Sequence, residues 1–319
     1  MRLPAFPQEM MLIGIDVGGT KTAIGGVAAA DGEVLDKRVV ATPALASTGR
    51  SFVEHLCVMA GAIKDEAAAL GWQCGGIGVS LCELVDLAGN PASGFRVEWR
   101  YAHARELFST IAPCVIEADV RAAARAEAWR GRGRDFRCFA YVNLGTGVSS
   151  CFVIDGVPYP GARGAALVLG TGPALNVDPA GQTSSYVPEE VAGGAGIVAR
   201  YNAAGHNVES ALDVLARAEA GDTAATEIAA LGGKVAGAGI GFLVNVIDPE
   251  AVIVGGGLAT HDGIYWHSAV TQARATIWNK AARDLPILQA GLGADSALIG
   301  AALSALPAED SSQRKHRAG

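Results

Sequence analysis

Short apolar runs separated by glycine-rich turns fill the first third of the chain, and they predict a mixed α/β fold. Leu12–Val27 is typical of two paired strands joined by a tight turn at Gly18–Lys21. Glu33–Thr42 predicts a third strand, and residues 51–70, alanine-rich with apolar positions spaced by three and four, predict a helix. The run Gly76–Leu81 is typical of a buried parallel strand flanked by helices.

The same alternation continues to the end of the chain. We predict further strands at Cys114–Glu117, Cys138–Leu144, Val148–Ile154, Ala251–Val254 and 286–289. We predict further helices at 102–111, 119–129, 195–203, 208–219, 222–247, 263–280 and 294–306. Between them, Arg130–Arg134 is interpreted as a linker, and the glycine- and proline-rich stretch Gly161–Gly196 as a long irregular loop.

One local pattern occurs twice in the chain. A strand, a glycine–threonine turn and a second strand recur at Cys138–Ile154, with Gly145-Thr146-Gly147 as the turn. The repetition indicates a duplicated fold in which each half opens with such a hairpin. Chance similarity between two hairpins of a glycine-rich chain is the alternative. We divide the chain into an N-terminal α/β lobe (10–120), a larger C-terminal α/β lobe (121–293), a closing helix packed on the first lobe (294–306), and tails at 1–9 and 307–319.

The first turn also carries candidate chemistry. Asp16 ends the first strand, and the backbone N–H groups of Gly18 and Gly19 can approach a ligand closely because glycine has no side chain. Thr20 and Lys21 add a hydroxyl group and a positive charge. The pattern indicates a phosphate-binding turn, with Asp16 placed to hold a metal-bound water or to orient a phosphate. A hairpin that is glycine-rich for structural reasons alone is the alternative.

Composition narrows the class of protein. Half of the 319 residues are hydrophobic and 18% are charged, which allows a substantial core. The formal net charge of −7 argues against a nucleic-acid-binding surface, which requires a basic stripe. The six cysteines lie apart without a C-x-x-C pair, as is typical of reduced thiols in the cytoplasm. We recognise neither a signal peptide nor an apolar run long enough for a membrane span, and we expect a cytoplasmic protein.

Six segments, taken in order, resemble the ROK family of sugar kinases and related repressors. They are IGIDVGGTKTAIGGV, EADVRAAARAE, VNLGTGVSS, GARGAA, NVIDPEAVIVGGGLA and ADSALIGAAL. Each segment is short, but their joint order and spacing cover nearly the whole chain. The resemblance implies an α/β, two-lobed actin/hexokinase-like fold (a duplicated ribonuclease H-like fold) with a central cleft for ATP and a sugar.

The resemblance also implies roles for individual residues. Asp119 falls on the family's catalytic position, where it would take the proton of the substrate hydroxyl during phosphoryl transfer. At the start of a helix, this aspartate is equally a preferred N-cap, and the two roles are compatible. The implied contacts to Mg²⁺ and ATP are Asp16, which would also hold the metal, with Gly18, Gly19, Thr20, Lys21, Gly145, Thr146, Gly147, Gly255, Gly256 and Gly257.

The chain departs from the family pattern at the sugar and zinc sites. Val168 and Thr171 stand where the family has the glutamate and histidine of a Glu-x-Gly-His segment. Ala118 replaces the asparagine that precedes the catalytic aspartate. The cysteine-rich zinc motif has become Asn176–Tyr186, which contains neither cysteine nor histidine, and we therefore expect no zinc. The resemblance implies that Glu189 is a family carboxylate retained near the sugar.

Charged residues stand near the positions that lost these polar groups. Arg96, Glu98 and Arg100 lie where the family has a sugar-facing asparagine loop, and Arg121 and Arg163 lie beside matched motifs. Because arginine recognises carboxylates and phosphates well, a modified or acidic sugar is one hypothesis. We assign Arg96, Glu98, Arg163 and Glu189 to substrate binding. The alternative is that these arginines are solvated or paired with Glu98 and Glu117.

Two functions of different class remain. The first is an ATP-dependent kinase of carbohydrate metabolism that phosphorylates a hydroxyl of a sugar or sugar-like molecule, with Asp119 as general base and plain glucose disfavoured. The second is a catalytically silent ligand-binding or regulatory protein, and we expect no DNA-binding domain before the first strand. A dinucleotide-dependent oxidoreductase is disfavoured because no G-x-G-x-x-G opens a helix after the first strand. The resemblance suggests a homodimer, without nucleic-acid or membrane partners.

Overall fold

The computed structural model describes residues 7 and 9–306, and these form two compact units. Within the described residues, the N-terminal unit contains the chain up to residue 123 together with residues 297–306. The C-terminal unit contains residues 124–296. The predicted tails, 1–9 and 307–319, lie outside the described residues except for positions 7 and 9.

Strands and helices alternate along both units, with bounds close to those that the sequence predicts. The N-terminal unit contains β1 (Met10–Val17), β2 (Lys21–Ala28), β3 (Val34–Ala41), α1 (Arg50–Ala69), β4 (Gln73–Leu81), α2 (Ala104–Ser109) and β5 (Cys114–Ala118), and α3 (Asp119–Trp129) begins in it. The C-terminal unit contains β6 (Cys138–Leu144), β7 (Val148–Ile154), β8 (Val157–Pro158), β9 (Ala174–Val177), β10 (Thr183–Tyr186), α4 (Pro188–Ala192), α5 (Gly194–Ala203), α6 (Ala211–Glu219), α7 (Thr223–Ile247), β11 (Ala251–Gly255), α8 (Ile264–Thr276) and β12 (Ile287–Gln289). The closing helix is α9 (Ser296–Ser304).

The five-stranded sheets of the two units have the same strand order and direction. In the N-terminal unit the order is β3-β2-β1-β4-β5, antiparallel among β3, β2 and β1 and parallel among β1, β4 and β5. In the C-terminal unit the order is β8-β7-β6-β11-β12, with the same change from antiparallel to parallel pairing. The predicted duplication of an α/β fold is therefore confirmed, since chance similarity of two hairpins would not extend to whole sheets.

The two faces of the first sheet pack against different helices. Side chains alternate between the faces of a strand, and Ile13 and Ile15 of β1 are completely buried with Leu56 of α1. Full burial of such a side chain contributes about 1.5–3 kcal/mol. On the other face, a Cβ at Gly14 or Gly78 would collide with a backbone carbonyl of α9. Glycine is therefore required at both positions for α9 to approach the sheet this closely.

Helix α7 packs against α8 through a row of glycines. Gly233, Gly237 and Gly241 are spaced by four residues, so they share one face of α7. A Cβ at Gly233 or Gly237 would collide with the backbone carbonyl of Tyr265 or Ala269 in α8. In the part of the chain that the structure describes, α7 alone is long and apolar enough to cross a membrane. One such helix is weak evidence for a membrane span, because the core helix of a globular unit has the same properties.

The prediction of one irregular loop at Gly161–Gly196 is wrong in part, since a β-hairpin, the whole of helix α4 and the start of α5 lie within it. Strands β9 and β10 pair antiparallel across a tight turn. Asp178 Oδ1 accepts the N–H groups of Ala180 and Gln182 at 2.9 and 2.8 Å, and Gly181 has a φ of +78°. The turn signal was present in the sequence, but strands of four residues are too short to show a clear alternation.

Helix α8 ends earlier than the predicted 263–280 because of a contact with α7. Its last residue is Thr276, and Ile277 is extended. Asn245 of α7 accepts the N–H of Trp278 at 2.8 Å and donates its amide to the carbonyl of Thr276 at 3.0 Å. A single side chain from another helix therefore ends α8, which the periodicity of α8 could not indicate.

A buried carboxylate organises the stretch that was interpreted as a linker. Glu127 of α3 is completely buried and accepts the N–H groups of Arg132, Gly291 and Leu292 at 2.9, 3.0 and 2.9 Å. Arg132–Asp135 forms a short 3₁₀ helix. Glu127 thereby ties the chain after α3 to the segment after β12 within the C-terminal unit.

Candidate active site

The first part of the candidate site lies at the carboxyl ends of β1 and β4. Asp16 and Ser80 are in register across this parallel pair, and the Ser80 hydroxyl donates to Asp16 Oδ1 at 2.7 Å. Ser80 is completely buried. Burial raises the pKa of Asp16, and the Ser80 hydrogen bond and the charge of Lys37 oppose that rise. Ser80 was not predicted as a site residue, because one serine within a buried strand gives little signal.

Asp119 lies at the junction of β5 and α3, as the sequence predicted. Its Oδ1 accepts the N–H of Val120 at 2.6 Å, while its Oδ2 has no hydrogen-bond partner among the described residues. Burial, followed by the neighbouring charge of Asp16, raises the pKa of Asp119 to about 7. A carboxyl group with this pKa and one available oxygen can exchange a proton near neutral pH.

A third acidic residue, Glu83, lies near Asp119 and was missed by the sequence reasoning. Its charge contributes to the raised pKa of Asp119, and it is only 6% exposed. The carboxylate accepts the hydroxyl of Ser93 and the backbone N–H groups of Arg96 and Val97. Its available signal was a charged residue two positions after the apolar strand β4.

The thiol of Cys82 lies among the same carboxyl groups. Burial, followed by the charges of Asp119, Glu83 and Asp16, raises its pKa to about 12. A thiol with such a pKa is protonated at neutral pH and is a poor nucleophile. The chemistry available to this cluster is therefore proton transfer and cation binding by carboxylates.

The turn between β1 and β2 leaves two N–H groups available for a ligand. The backbone N–H of Thr42 donates to Thr20 O at 2.9 Å, and its hydroxyl donates to Gly18 O at 2.8 Å, so both carbonyls are occupied. The N–H groups of Gly19 and Thr20 have no acceptor within the described part of the chain, and both residues are exposed. Lys21, also exposed, begins β2. Successive N–H groups of this kind can bind a phosphate oxygen.

The turn between β6 and β7 has the same arrangement in the C-terminal unit. The start of α5 occupies its carbonyls, because Gly194 N–H donates to Gly145 O at 2.9 Å and Ala195 N–H donates to Thr146 O at 3.1 Å. The N–H groups of Thr146 and Gly147 have no acceptor among the residues described. This turn too is therefore a candidate for binding a phosphate oxygen.

Two other predicted groups lie beside this second turn. Glu189 Oε2 accepts the N–H of Val148 at 2.8 Å, and a Cβ at Gly147 would lie 2.5 Å from the same oxygen. Gly256, in the predicted run Gly255–Gly257, has a φ of +88° and lies against the backbone at the end of β6. The structure therefore brings the G-T-G turn, the glycine run and Glu189 together.

Glu98 and Glu117 each form an ion pair with an arginine close by in the sequence. Glu98 forms an exposed ion pair with Arg100, and Glu117 forms a largely buried ion pair with Arg121. Arg121 also donates to the carbonyl of Val85 at 2.8 Å. For Glu98 this pairing favours the alternative of a structural role that the sequence had left open.

Arg96 and Arg163 differ from these pairs. Both are exposed, and neither has a hydrogen bond or ion pair from its guanidinium group within the described residues. Arg96 lies beside the first turn, since a Cβ at Gly19 would be 3.6 Å from its Cγ. Arg163 lies in the segment between β8 and β9 of the C-terminal unit.

The carboxyl groups of the N-terminal unit fit a magnesium ion better than a zinc ion. Mg²⁺ is typically held by one or two carboxylates, with waters and substrate phosphates as the other ligands. Asp16 raises the pKa of Asp119, so a cation between such groups would relieve unfavourable charge. Zinc requires about four protein ligands in a structural site, and no described group of three or more His, Cys, Asp and Glu is arranged to hold a metal.

Among curated proteins, one similar to this chain is a bifunctional enzyme. The bifunctional enzyme NanE/NanK of Brucella melitensis is 30% identical over 300 residues, which cover 91% of this chain and 53% of that protein. The chain thus spans about half the length of that relative.

Solved structures and the family comparison agree on the fold. A ROK hexokinase from Thermus thermophilus has a TM-score of 0.75 and 26% identity, covering 97% of this chain and 100% of that chain. A ROK family glucokinase from Streptomyces griseus, solved with glucose and AMPPNP, has a TM-score of 0.76 and 26% identity, covering 92% and 98%. The model of the ROK family matches residues 12–307. As its motifs predicted, the chain belongs to the ROK family.

Proposed function

We propose that this protein is an ATP-dependent kinase that phosphorylates a hydroxyl group of a sugar or sugar-like small molecule. The proposal rests above all on Asp119, whose pKa is raised to about 7 and whose Oδ2 has no described partner. Asp16 lies near it, and the turn Gly18–Lys21 begins two residues after Asp16. A base, a metal ligand and donors for phosphate oxygens are the groups that phosphoryl transfer requires.

The similar structures support the same reaction. The Streptomyces griseus glucokinase was solved with glucose and with AMPPNP, an ATP analogue, and the Thermus thermophilus protein is a hexokinase. Sugar phosphorylation is the reaction that these proteins share. We propose the same reaction for this chain, with ATP as the phosphoryl donor.

Asp119 acts as the general base in the proposed reaction. Its Oδ2 accepts the proton of the substrate hydroxyl, whose oxygen forms the new bond to the γ-phosphorus of ATP. The bond from that phosphorus to the bridging oxygen breaks, and ADP leaves with the electron pair. The hydrogen bond from Val120 N–H to Oδ1 holds the carboxylate in one orientation, so that Oδ2 remains the proton acceptor.

Backbone N–H groups and positive charge bind the triphosphate in this proposal. Mg²⁺, when held by Asp16, supplies neutralisation of phosphate charge. The N–H groups of the two turns donate to phosphate oxygens, and the ammonium group of Lys21 adds charge. The glycine run after β11 borders the adenosine. The proposed ATP contacts are Asp16, Gly18, Gly19, Thr20, Lys21, Gly145, Thr146, Gly147, Gly255, Gly256 and Gly257.

We further propose a modified or acidic sugar, rather than plain glucose, as the acceptor. Ala118 and Val168 cannot make the hydrogen bonds that their family counterparts would make, and loss of such bonds relaxes or redirects selection for a hydroxyl pattern. The exposed guanidinium of Arg163 suits a carboxylate. Glu189, beside the second turn, is the proposed carboxylate contact to the sugar, and Glu98 is the weaker candidate because it is paired with Arg100.

The test is an ADP-release screen over neutral sugars, N-acetylated amino sugars, sugar acids and polyols. Wild type is compared with Asp119→Asn, which keeps the side-chain shape and removes the base. A matched control is Asp65→Asn, an exposed aspartate on α1 outside the candidate site. We expect one acceptor class to turn over in wild type and control, and Asp119→Asn to lose about 100-fold or more in kcat.

Two outcomes would contradict the kinase proposal. Full activity of Asp119→Asn would exclude this residue as the base. No turnover of any acceptor, combined with a rise in melting temperature on adding ATP or a sugar, would favour the silent ligand-binding protein instead.

We also propose that the protein is a cytoplasmic homodimer without nucleic-acid or membrane partners. The net charge of −7 disfavours a nucleic-acid partner, and the similarity to a ROK hexokinase supports the rest of the proposal. Light scattering coupled to size exclusion tests the proposal, and a mass of one chain at micromolar concentration would contradict the dimer.

A further inference from the structure

The side chain of Arg96 runs along the first phosphate-binding turn. A Cβ at Gly19 would lie 3.6 Å from Arg96 Cβ and Cγ and 3.7 Å from its Cδ. The aliphatic part of the arginine therefore follows the turn at van der Waals distance from where a side chain would be. Its guanidinium group is exposed and has no hydrogen-bond or ion-pair partner among the described residues.

The backbone that carries Arg96 is held firmly in place. Glu83 accepts the N–H groups of both Arg96 and Val97, the latter at 2.8 Å, and also the hydroxyl of Ser93. Val97 and Trp99, one and three residues after Arg96, are buried at 0% and 1% exposure. Because the backbone is already anchored, binding of a ligand by Arg96 would cost the freedom of its side chain but little further ordering of the backbone.

Three other arginines of the same unit have guanidinium groups that form ion pairs. Arg100 is paired with Glu98, Arg121 with Glu117, and Arg50 with Glu54. Among these four arginines, Arg96 is the one whose guanidinium has no carboxylate partner in the described residues, and Glu83 binds its backbone N–H instead. A fork-shaped cation beside two available N–H groups matches the tetrahedral oxygens of a phosphoryl group.

We propose that Arg96 is a catalytic residue that contacts the γ-phosphoryl group of the nucleoside triphosphate and stabilises its charge during transfer. The inference rests on the proposed kinase function and replaces the assignment of Arg96 to the sugar. The guanidinium donates hydrogen bonds to non-bridging oxygens of the phosphorus that gains a bond to the acceptor oxygen and loses its bond to ADP. The proton of the acceptor goes to Asp119, so Arg96 stays protonated throughout. Glu83 is the positioning residue, since it fixes the segment from which Arg96 extends.

The test compares three substitutions by steady-state kinetics with ATP and the acceptor found in the screen. Arg96→Met keeps the aliphatic stem along Gly19 and removes the charge, and Arg96→Lys restores a charge without the fork. Arg50→Met is the matched control, because Arg50 is also exposed but lies on α1 in a pair with Glu54. Loss of a preorganised donor to the developing charge lowers kcat by about 100-fold or more, so we expect this for Arg96→Met.

The division between kcat and KM separates this role from the alternatives. We expect the KM for the sugar to change by less than about threefold in Arg96→Met, partial recovery of kcat in Arg96→Lys, and wild-type kinetics in Arg50→Met. Added guanidinium ion at millimolar concentration should raise the kcat of Arg96→Met and leave wild type unchanged. Unchanged kcat in Arg96→Met, or a change confined to the KM of an acidic sugar, would overturn the proposal.

A binding measurement keeps the proposal testable if no acceptor turns over and the kinase function fails. The contact to the γ-phosphoryl group predicts that ATP raises the melting temperature of wild type more than ADP does. Arg96→Met should lose that difference while keeping its response to ADP. Equal responses of wild type to the two nucleotides, or a difference that persists in Arg96→Met, would overturn the assignment of Arg96.

Discussion

The two hairpin turns of this protein share a backbone arrangement and differ in the acidic groups around them. In the N-terminal unit, Thr42 occupies the turn carbonyls, and in the C-terminal unit the start of α5 does so. Each turn is left with two successive N–H groups that have no described acceptor. Different neighbours therefore produce the same result, because what must be met is the backbone hydrogen-bonding requirement rather than a particular side chain.

The acidic groups belong to the N-terminal turn. Asp16 and Asn143 occupy equivalent positions, each the second residue before its turn. Across the parallel pair, Asp16 lies beside Ser80 and Asn143 lies beside Gly255. Asp119 then follows the edge strand of the same unit. A duplicated fold thus supplies two candidate phosphate-binding turns, whereas the proposed proton acceptor, Asp119, and the proposed metal ligand, Asp16, both belong to the unit of the first turn.

The largest effect is expected from a substitution that removes the acidic group beside the first turn. Asp16→Asn gives the first turn the residue that precedes the second. We expect kcat/KM to fall by more than about 100-fold, because even outer-shell partners of metal ligands account for 10–100-fold. The measurement is ADP release at increasing Mg²⁺ concentration. High Mg²⁺ should restore part of the rate of Asp16→Asn. Wild-type activity at low Mg²⁺ would contradict the role of Asp16, and Asp65→Asn is again the control.

The pH dependence of activity tests the proton acceptor. The pKa of Asp119 is raised to about 7, and the base must be deprotonated to accept a proton. We therefore expect kcat/KM to rise with pH through an apparent pKa near 7 and to level off above it. A rate profile at constant ionic strength measures this, and a limb at the ordinary aspartate pKa would show that Asp119 is not perturbed in the working enzyme.

The same carboxyl group should make stability depend on pH. The pKa of Asp119 rises from 3.8 to about 7 on folding, so its stabilising contribution is complete below 3.8 and is lost as the pH rises to 7. Asp119→Asn does not titrate and should be more stable than wild type at pH 8. One pKa unit corresponds to about 1.4 kcal/mol, so at pH 8 we expect the free energies of unfolding of Asp119→Asn and wild type to differ by a few kcal/mol. Urea unfolding at pH 5 and pH 8 tests this, and a constant difference between the two proteins would contradict it.

A smaller effect is expected where helix α9 packs closely against the sheet of the N-terminal unit. Gly78→Ala places a Cβ against the Ala301 carbonyl of α9, and we expect a loss of about 1–3 kcal/mol in the free energy of unfolding. Gly61→Ala is the control, because nothing lies within 4 Å of that position in α1. It should stabilise by up to about 1 kcal/mol through helix propensity. Thermal unfolding measures both, and equal stability of Gly78→Ala and wild type would contradict the close approach.

The smallest expected effect tests whether the region after the second turn needs a metal. Asn176–Tyr186 forms a hairpin closed by the side chain of Asp178, where the family pattern has a zinc motif. Incubation with a strong zinc chelator should therefore leave the melting temperature unchanged. Metal analysis of the purified protein should find well under one zinc per chain, and one bound zinc would contradict the expectation.

Prediction from the sequence worked best where a pattern is local. The repeated strand–turn–strand, the helix that begins at Asp119 and most element bounds follow from apolar periodicity and turn residues within a short window. It failed where one distant side chain decides the outcome, as when Asn245 ends α8. Ser80 and Glu83 were missed for the same reason, since their partners lie on other strands and loops.

The sequence by itself determined the family, the duplicated α/β class and the residues at both turns, because these depend on local residue order and spacing. Tertiary structure decided which groups can act. Burial raised the pKa of Asp119 beside Asp16, and ion pairing occupied Glu98 while leaving the guanidinium of Arg96 available beside Gly19. These properties arise from desolvation and from contacts between residues distant in the chain, and no local pattern in the sequence encodes them.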